Sequence, residues 1–218
     1  MSLSGVIFDL DGTIAESHPM AIELIGGAIA EYSDRDLSPE EVTSLFGPNE
    51  QGIFRTAVGE ERWEQAWEQY LDDYINLHDL CPEPFPGIKD LLEGLHACGC
   101  RLGLVTGKTA TTAGISLDYF GISNLFSGVE GGSMDGVVKA GAIESLLRAW
   151  DLDESDVVYV GDTVGDVTES RRAGVEAVAA AWSGFADRAG LEAEKPDVLF
   201  DDVASFAAWV VDRCCGSD

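Results

Sequence analysis

Asp9 and Asp11, in the stretch "VIFDLDGTIAES", end a run of apolar residues, and Asp162 and Asp166 end a second run in "VVYVGDTVGD". Thr106 closes a third, "LGLVT", and Lys139 opens a segment of helical pattern, "KAGAIESLLRAW". Taken singly, each acidic stretch reads equally as a solvated turn. Brought together, four carboxylates repel one another unless a hard cation sits among them. Magnesium suits oxygen ligands, keeps several waters and bridges to phosphate, so the set predicts a magnesium site and, through it, a phosphoryl substrate. A calcium loop of the EF-hand kind is excluded, because Gly12 falls at the fourth position of a loop that needs glycine at the sixth.

These residues need strands that end at one place. The runs "SGVIFDL", "CRLGLVTG", "NLFSGVEGG", "DVVYVGD", "GVEAVAAAW" and "PDVLF" are short, valine-rich and nearly continuous in hydrophobicity, and helix-length segments separate them. Strands buried on both faces read this way, and the class expected is α/β, a doubly wound parallel, Rossmann-like sheet with ligands bound beyond its carboxyl ends. "PGIKDLLEGLHACG" and "FAAWVVDRCC" join "KAGAIESLLRAW" as crossover helices. Between the first strand and residue 84, however, lie about 65 residues, too many for an ordinary crossover. An inserted all-helical cap is expected over 16–83, with the core made of 1–15 and 84–218. In the cap, Trp63, Trp67, Tyr70, Tyr74 and Leu77 fall at helical spacing and read as a packing seam, and "CPEPFPG" reads as a stiff return linker.

Forty acidic residues against thirteen basic ones leave a net charge of −27, which argues against nucleic acid or an anionic membrane as a partner. Acids spread over the whole chain, with four lysines in it, are the pattern of a halophilic protein. Five cysteines, odd in number and irregularly spaced, suit a reducing cytoplasm better than a disulfide framework, and "HACGC" lacks a second cluster that would complete a metal site. No stretch has the length and apolarity of a membrane span.

In order and spacing these motifs resemble those of the haloacid dehalogenase superfamily, in its phosphoglycolate phosphatase-like branch with a helical cap. The DxDGT motif is Asp9 to Thr13, the strand-end threonine is Thr106, the motif lysine is Lys139, and GDxxxD runs from Gly161 to Asp166. The resemblance implies that Asp9 attacks phosphorus and forms an aspartyl-phosphate, while Asp11 protonates the leaving alkoxide and then activates water. It also implies that Thr106 and Lys139 hold the transferring group and offset its charge, and that the magnesium site is formed by the Asp9 and Asp162 side chains, the Asp11 backbone carbonyl, and Asp166 acting through water or by positioning Lys139. Departures are Glu16-Ser17 where Asp-Ser follows the first motif, Ala140 where proline is common, and Gly107 where asparagine is frequent.

Substrate choice falls to Gly107 and to cap residues Gly47, Asn49 and Arg55, the last able to clamp a carboxylate. The expected activity is hydrolysis of a small phosphorylated metabolite, with 2-phosphoglycolate first, by a cytoplasmic monomer or homodimer. A phosphomutase of the β-phosphoglucomutase type is the alternative within the fold, ahead of a dehalogenase, and a catalytically inactive binding module is the alternative of another class.

Overall fold

The computed structural model describes residues 2–216, and among them all six expected strands form. They are β1 (Gly5–Phe8), β2 (Arg101–Val105), β3 (Gly128–Glu130), β4 (Val157–Gly161), β5 (Glu176–Ala180) and β6 (Val198–Phe200). They build one all-parallel sheet in the order β3-β2-β1-β4-β5-β6. β1 is central, with Phe8 level with Leu104 on one side and Val160 on the other. Chain order reverses at β1, which makes its carboxyl end the switch point where such sheets bind ligands.

Side chains of adjacent residues go to opposite faces, so the apolar runs serve two cores. Val6, Phe8, Val158 and Val160 enter one cluster, Ile7, Val157 and Tyr159 the other. Helices α5 (Ile88–Ala97), α6 (Ala110–Tyr119) and α10 (Val203–Cys215) contribute to the first cluster, and α7 (Lys139–Trp150) to the second. Two further helices complete the winding, α8 (Val164–Arg172) after β4 and α9 (Arg188–Glu194) after β5.

Between β1 and α5 the chain is helical: α1 (His18–Tyr32), α2 (Pro39–Thr43), α3 (Glu50–Val58) and α4 (Trp63–Asn76). α4 buries Trp67, Tyr70 and Tyr74, and Tyr70 packs its ring 5.3 Å from that of Phe54 in α3. Leu77 departs from the expected stripe. α4 ends at Asn76, so the 3.6-residue period no longer carries Leu77 inward, and its side chain is exposed. The return linker lies against the outgoing chain, where Phe85 N–H donates to the Ile14 carbonyl at 2.9 Å.

The cysteines differ from expectation. Cys98, at the end of α5, is joined to Cys215, at the end of α10, with their Cα atoms 5.7 Å apart. The partners lie 117 residues apart in sequence, and only the packing of α5 against α10 makes them neighbours. Spacing along the chain carries no trace of that pairing. Cys81, Cys100 and Cys214 are free thiols.

Candidate active site

The buried strand ends deliver their acids to one point. Asp9, Asp162 and Asp166 are buried, and each places a carboxylate oxygen within 4.8 Å of one from the others. Close approach of the backbone allows this. Gly12 adopts φ 72°, and a Cβ there would meet the Asp162 carboxylate and stand 2.9 Å from the His18 ring, so only glycine fits. Asp166 sits in the first turn of α8, where Thr163 N–H donates to its Oδ2 at 3.0 Å, the Thr163 hydroxyl donates to the same oxygen at 2.6 Å, and Asp166 N–H returns a bond to Thr163 Oγ1. This capping box holds the carboxylate at a helix start, where negative charge is favoured.

Lys139 enters from the start of α7 and bridges Asp9 Oδ2 and Asp166 Oδ1 at 2.6 Å each. Leu10 N–H donates to the other Asp9 oxygen at 2.7 Å, and the Tyr159 hydroxyl lies 2.9 Å from Asp166 Oδ1. Burial works against the Lys139 ammonium, but Asp166 and Asp9 outweigh it and hold its pKa far above the ordinary value. Burial likewise pushes Asp166 up, and the lysine and Thr163 pull it below the usual carboxylate range. For Asp9 burial wins, helped by the charges of Asp166 and Asp11, and its pKa rises to about 6.

Asp162 has no such partner. Its Oδ1 is buried without a hydrogen bond, and burial, with the nearby Asp166 and Asp9, raises its pKa to about 9. Three carboxylates against one ammonium leave two negative charges in excess. An orphaned buried oxygen within an all-carboxylate set fits a hard divalent cation, and Asp9, Asp162 and Asp166 are the side chains able to hold it.

A pH dependence follows. Without a cation the folded protein retains a proton on Asp162 that the unfolded chain, with an ordinary pKa of 3.8, releases. The contribution of Asp162 to stability therefore falls as pH rises from about 4 to about 9. A bound cation takes the proton's place, so magnesium at a hundred times its Kd is expected to add about 2.7 kcal/mol at pH 8 and less at pH 5. Calorimetry of the protein in EDTA and in magnesium, with Asp162→Asn as control, checks this. A magnesium effect of equal size at both pH values would remove Asp162 from the cation site.

Asp11 lies at the cavity but outside the carboxylate cluster. Its Oδ1 accepts from the Ser17 hydroxyl and stands 3.4 Å from the Lys108 ammonium. Burial pushes its pKa up, but Lys108, His18 and Ser17 together bring it below the ordinary value. Thr106, fully buried after β2, accepts from Lys108 N–H at 3.3 Å, which leaves its hydroxyl proton free to donate. Ser17, at the altered hinge, thus bonds to Asp11, and Glu16 is gripped by Ser183 and Gly184 N–H across the entry.

A cavity of about 320 Å³ opens onto these groups. Asp9, Asp11, Thr106, Gly107, Lys139 and Asp162 line it from the sheet, and Gly47 and Glu50 from the helical segment. Asn49 and Arg55 do not line it. The Asn49 side chain caps α3 by accepting from Gly52 N–H and donates to the Gly132 carbonyl at 2.9 Å, so it fastens α3 to the loop after β3. α3 turns Ile53, Phe54 and Ala57 inward, which puts Arg55 on a flank, where it pairs with Asp135 at 2.9 Å.

Two further residues of the site, Lys108 and Glu50, carry no motif in the sequence. Lys108 is buried among Asp11, Tyr70, Tyr74 and Glu50, with its ammonium 3.9 Å from Glu50 Oε1. Glu50 opens α3 and reaches across to accept from Thr109 N–H at 2.6 Å and the Thr112 hydroxyl at 2.7 Å. Burial raises the Glu50 pKa despite Lys108. The one signal was the scarcity of lysine: Lys108, two residues beyond a strand-end threonine, is one of four.

The geometry has relatives. The haloacid dehalogenase-like hydrolase family model matches residues 6–180, most of the chain. A phosphoglycolate phosphatase of Synechococcus elongatus is 29% identical over 204 residues, covering 91% of this chain and 93% of its own. The pyrophosphatase PpaX of Oceanobacillus iheyensis is 27% identical over 216 residues, covering 97% and 99%. The structure of a predicted phosphoglycolate phosphatase from Haemophilus somnus superposes with a TM-score of 0.77 at 24% identity, covering 96% of this chain and 98% of that one, and shares the fold. Buried strand-end carboxylates around a bridging lysine, on a sheet wound in this order and matched over this length, mark the chain as an enzyme of the phosphatase group, and it belongs to the haloacid dehalogenase-like hydrolase family.

Proposed function

We propose that the protein is a magnesium-dependent phosphatase that hydrolyses a small phosphorylated metabolite, 2-phosphoglycolate first among them, through an aspartyl-phosphate on Asp9. The observation that carries this reading is the cluster of Asp9, Asp162 and Asp166, of which Asp9 and Asp162 line the cavity and Asp9 and Asp166 are bridged by Lys139. Magnesium, when bound, neutralises the phosphoryl charge and orients the group.

The chain's own groups divide the remaining work. Lys139 and Leu10 N–H hold both oxygens of Asp9 in place, so the nucleophile is fixed before substrate arrives. Thr106 donates its hydroxyl to a transferring oxygen. Asp11 gives a proton to the departing alkoxide once the incoming phosphoryl anion competes for Lys108 and lifts the carboxyl from its lowered resting pKa, and it then removes one from the water that cleaves the acyl-phosphate. The cap, 16–83, excludes bulk water and limits substrate size. Lys108, on the wall of the cavity, supplies a positive charge for a second anionic group, a role for which Arg55 is poorly placed. That supports a substrate carrying phosphate and carboxylate on few carbons. The acidic shell supports a salt-rich cytoplasm as its milieu.

The test is a panel of phosphate esters assayed for free phosphate with magnesium in high salt. The expected result is sustained release, abolished by EDTA, with kcat/KM for 2-phosphoglycolate at least about tenfold above that for the ester lacking the carboxylate. An isomerised sugar phosphate accumulating without phosphate would identify a mutase instead, and no turnover of any ester would end the catalytic reading.

A further inference from the structure

Four sulfur atoms gather where the turn between α5 and β2 meets the end of α10. Gly99, at φ 86°, turns the chain so that Cys98 and Cys100 both face α10, which presents the adjacent Cys214 and Cys215. Cys98 and Cys215 are already joined, and the Cys100 thiol donates to Cys214 Sγ at 3.2 Å. Two thiolates on one tetrahedral zinc, each about 2.3 Å from the metal, stand about 3.8 Å apart. The shorter approach is therefore that of a thiol pair and not of half a zinc site. Backbone contacts support the juxtaposition, because Leu3 N–H bonds to the Arg213 carbonyl and Arg101 N–H to the Ser4 carbonyl, so the N-terminal segment lies between β2 and α10.

We propose that Cys100 and Cys214 are a modification site, a dithiol that a low-molecular-weight disulfide converts to a second cross-link beside Cys98–Cys215. Cys214 is the more accessible of the two, and the bond it accepts from Cys100, with Arg213 next to it, favours its thiolate against the opposing effect of burial. That thiolate attacks one sulfur of the small disulfide, forming a mixed disulfide and expelling one thiolate. Cys100 then loses its proton and attacks Cys214 Sγ, expelling the second. The cysteine pair gives up two electrons and two protons, and the small disulfide becomes two thiols.

Cys100 immediately precedes β2, whereas Thr106 follows its other end. Six steps along the strand at about 3.3 Å each put roughly 20 Å between cross-link and active site. The modification therefore fastens α10 without touching catalysis. Because the first disulfide already closes nearly the same loop, the second acts chiefly by holding α10 to the start of β2 when the first is reduced.

The test uses the full chain titrated with oxidised glutathione, with thiols counted after denaturation and linkages mapped by mass spectrometry of the digest. The count is expected to fall from three per chain to one, Cys81, with a Cys100–Cys214 peptide alongside Cys98–Cys215. Cys81→Ser should fall from two to none. Hydrolysis of a chromogenic phosphate ester should be unchanged within about twofold, and the thiol count stands whether or not that ester is a substrate. A count that stays at three under excess oxidised glutathione, a stable glutathione adduct on Cys214, or one zinc per chain with all four thiols reduced would overturn the proposal.

Discussion

Asp9→Asn is expected to lower kcat by on the order of 10⁴-fold or more, to the background left by the remaining groups. The amide oxygen can still accept from Lys139 while its NH2 turns toward Leu10 N–H, so one of the two bonds is lost, and the side chain offers phosphorus no carboxylate oxygen. The substitution also removes a charge that burial, Asp166 and Asp11 disfavour, and it leaves Lys139 paired with Asp166, so the lost bond should cost no more than about 1 kcal/mol in urea. Phosphate release and urea unfolding measured on one preparation separate the two effects. Activity retained within tenfold would exclude Asp9 as the nucleophile, and lost activity with lost stability would show only that the site had collapsed.

Lys139→Ala acts on both properties at once. It leaves Asp9 and Asp166 buried without the ammonium that each meets at 2.6 Å, and breaking a buried pair in this way costs about 3–5 kcal/mol. With burial raising both carboxyl groups and no ammonium to lower them, protonation relieves the repulsion, so the loss should be larger at pH 7.5 than at pH 5. Turnover is expected to fall on the order of 10²–10³-fold, since one donor to the reacting group is lost. Lys139→Arg should not rescue it, because a planar fork cannot replace a point charge held between two oxygens. Urea midpoints at pH 5 and pH 7.5 with magnesium chelated check the first claim, and a midpoint unchanged from the parent at pH 7.5 would contradict the bridging role.

The core of the site was legible because its physics is local. A buried strand must be apolar along its whole length, so an aspartate directly after such a run marks a strand end, as at Asp9 and Asp162, and six such runs separated by helices leave few topologies. Lys139 was readable as a rare cation at a helix start. Lys108 followed the same logic but stood in a loop, "TGK", where nothing in the chain tells a buried lysine from a solvated one. Glu50 was hidden among forty acids. Its meaning comes from Thr109, Thr112 and Lys108, all brought to it across the space between α3 and the carboxyl end of the sheet.

The chain alone thus decides strand, helix and sheet, since periodicity and burial are properties of neighbours in sequence. It also decides which acids stand at the strand ends, because Asp9 and Asp162 each come at the end of an apolar run. Which cap residues reach the cavity, which cysteines meet, and which lysine faces a carboxylate are decided by helix docking. Arg55 stands off the cavity for that reason: α3 packs through Ile53, Phe54 and Ala57, that choice of face aims Arg55 at Asp135, and Lys108 lines the cavity instead.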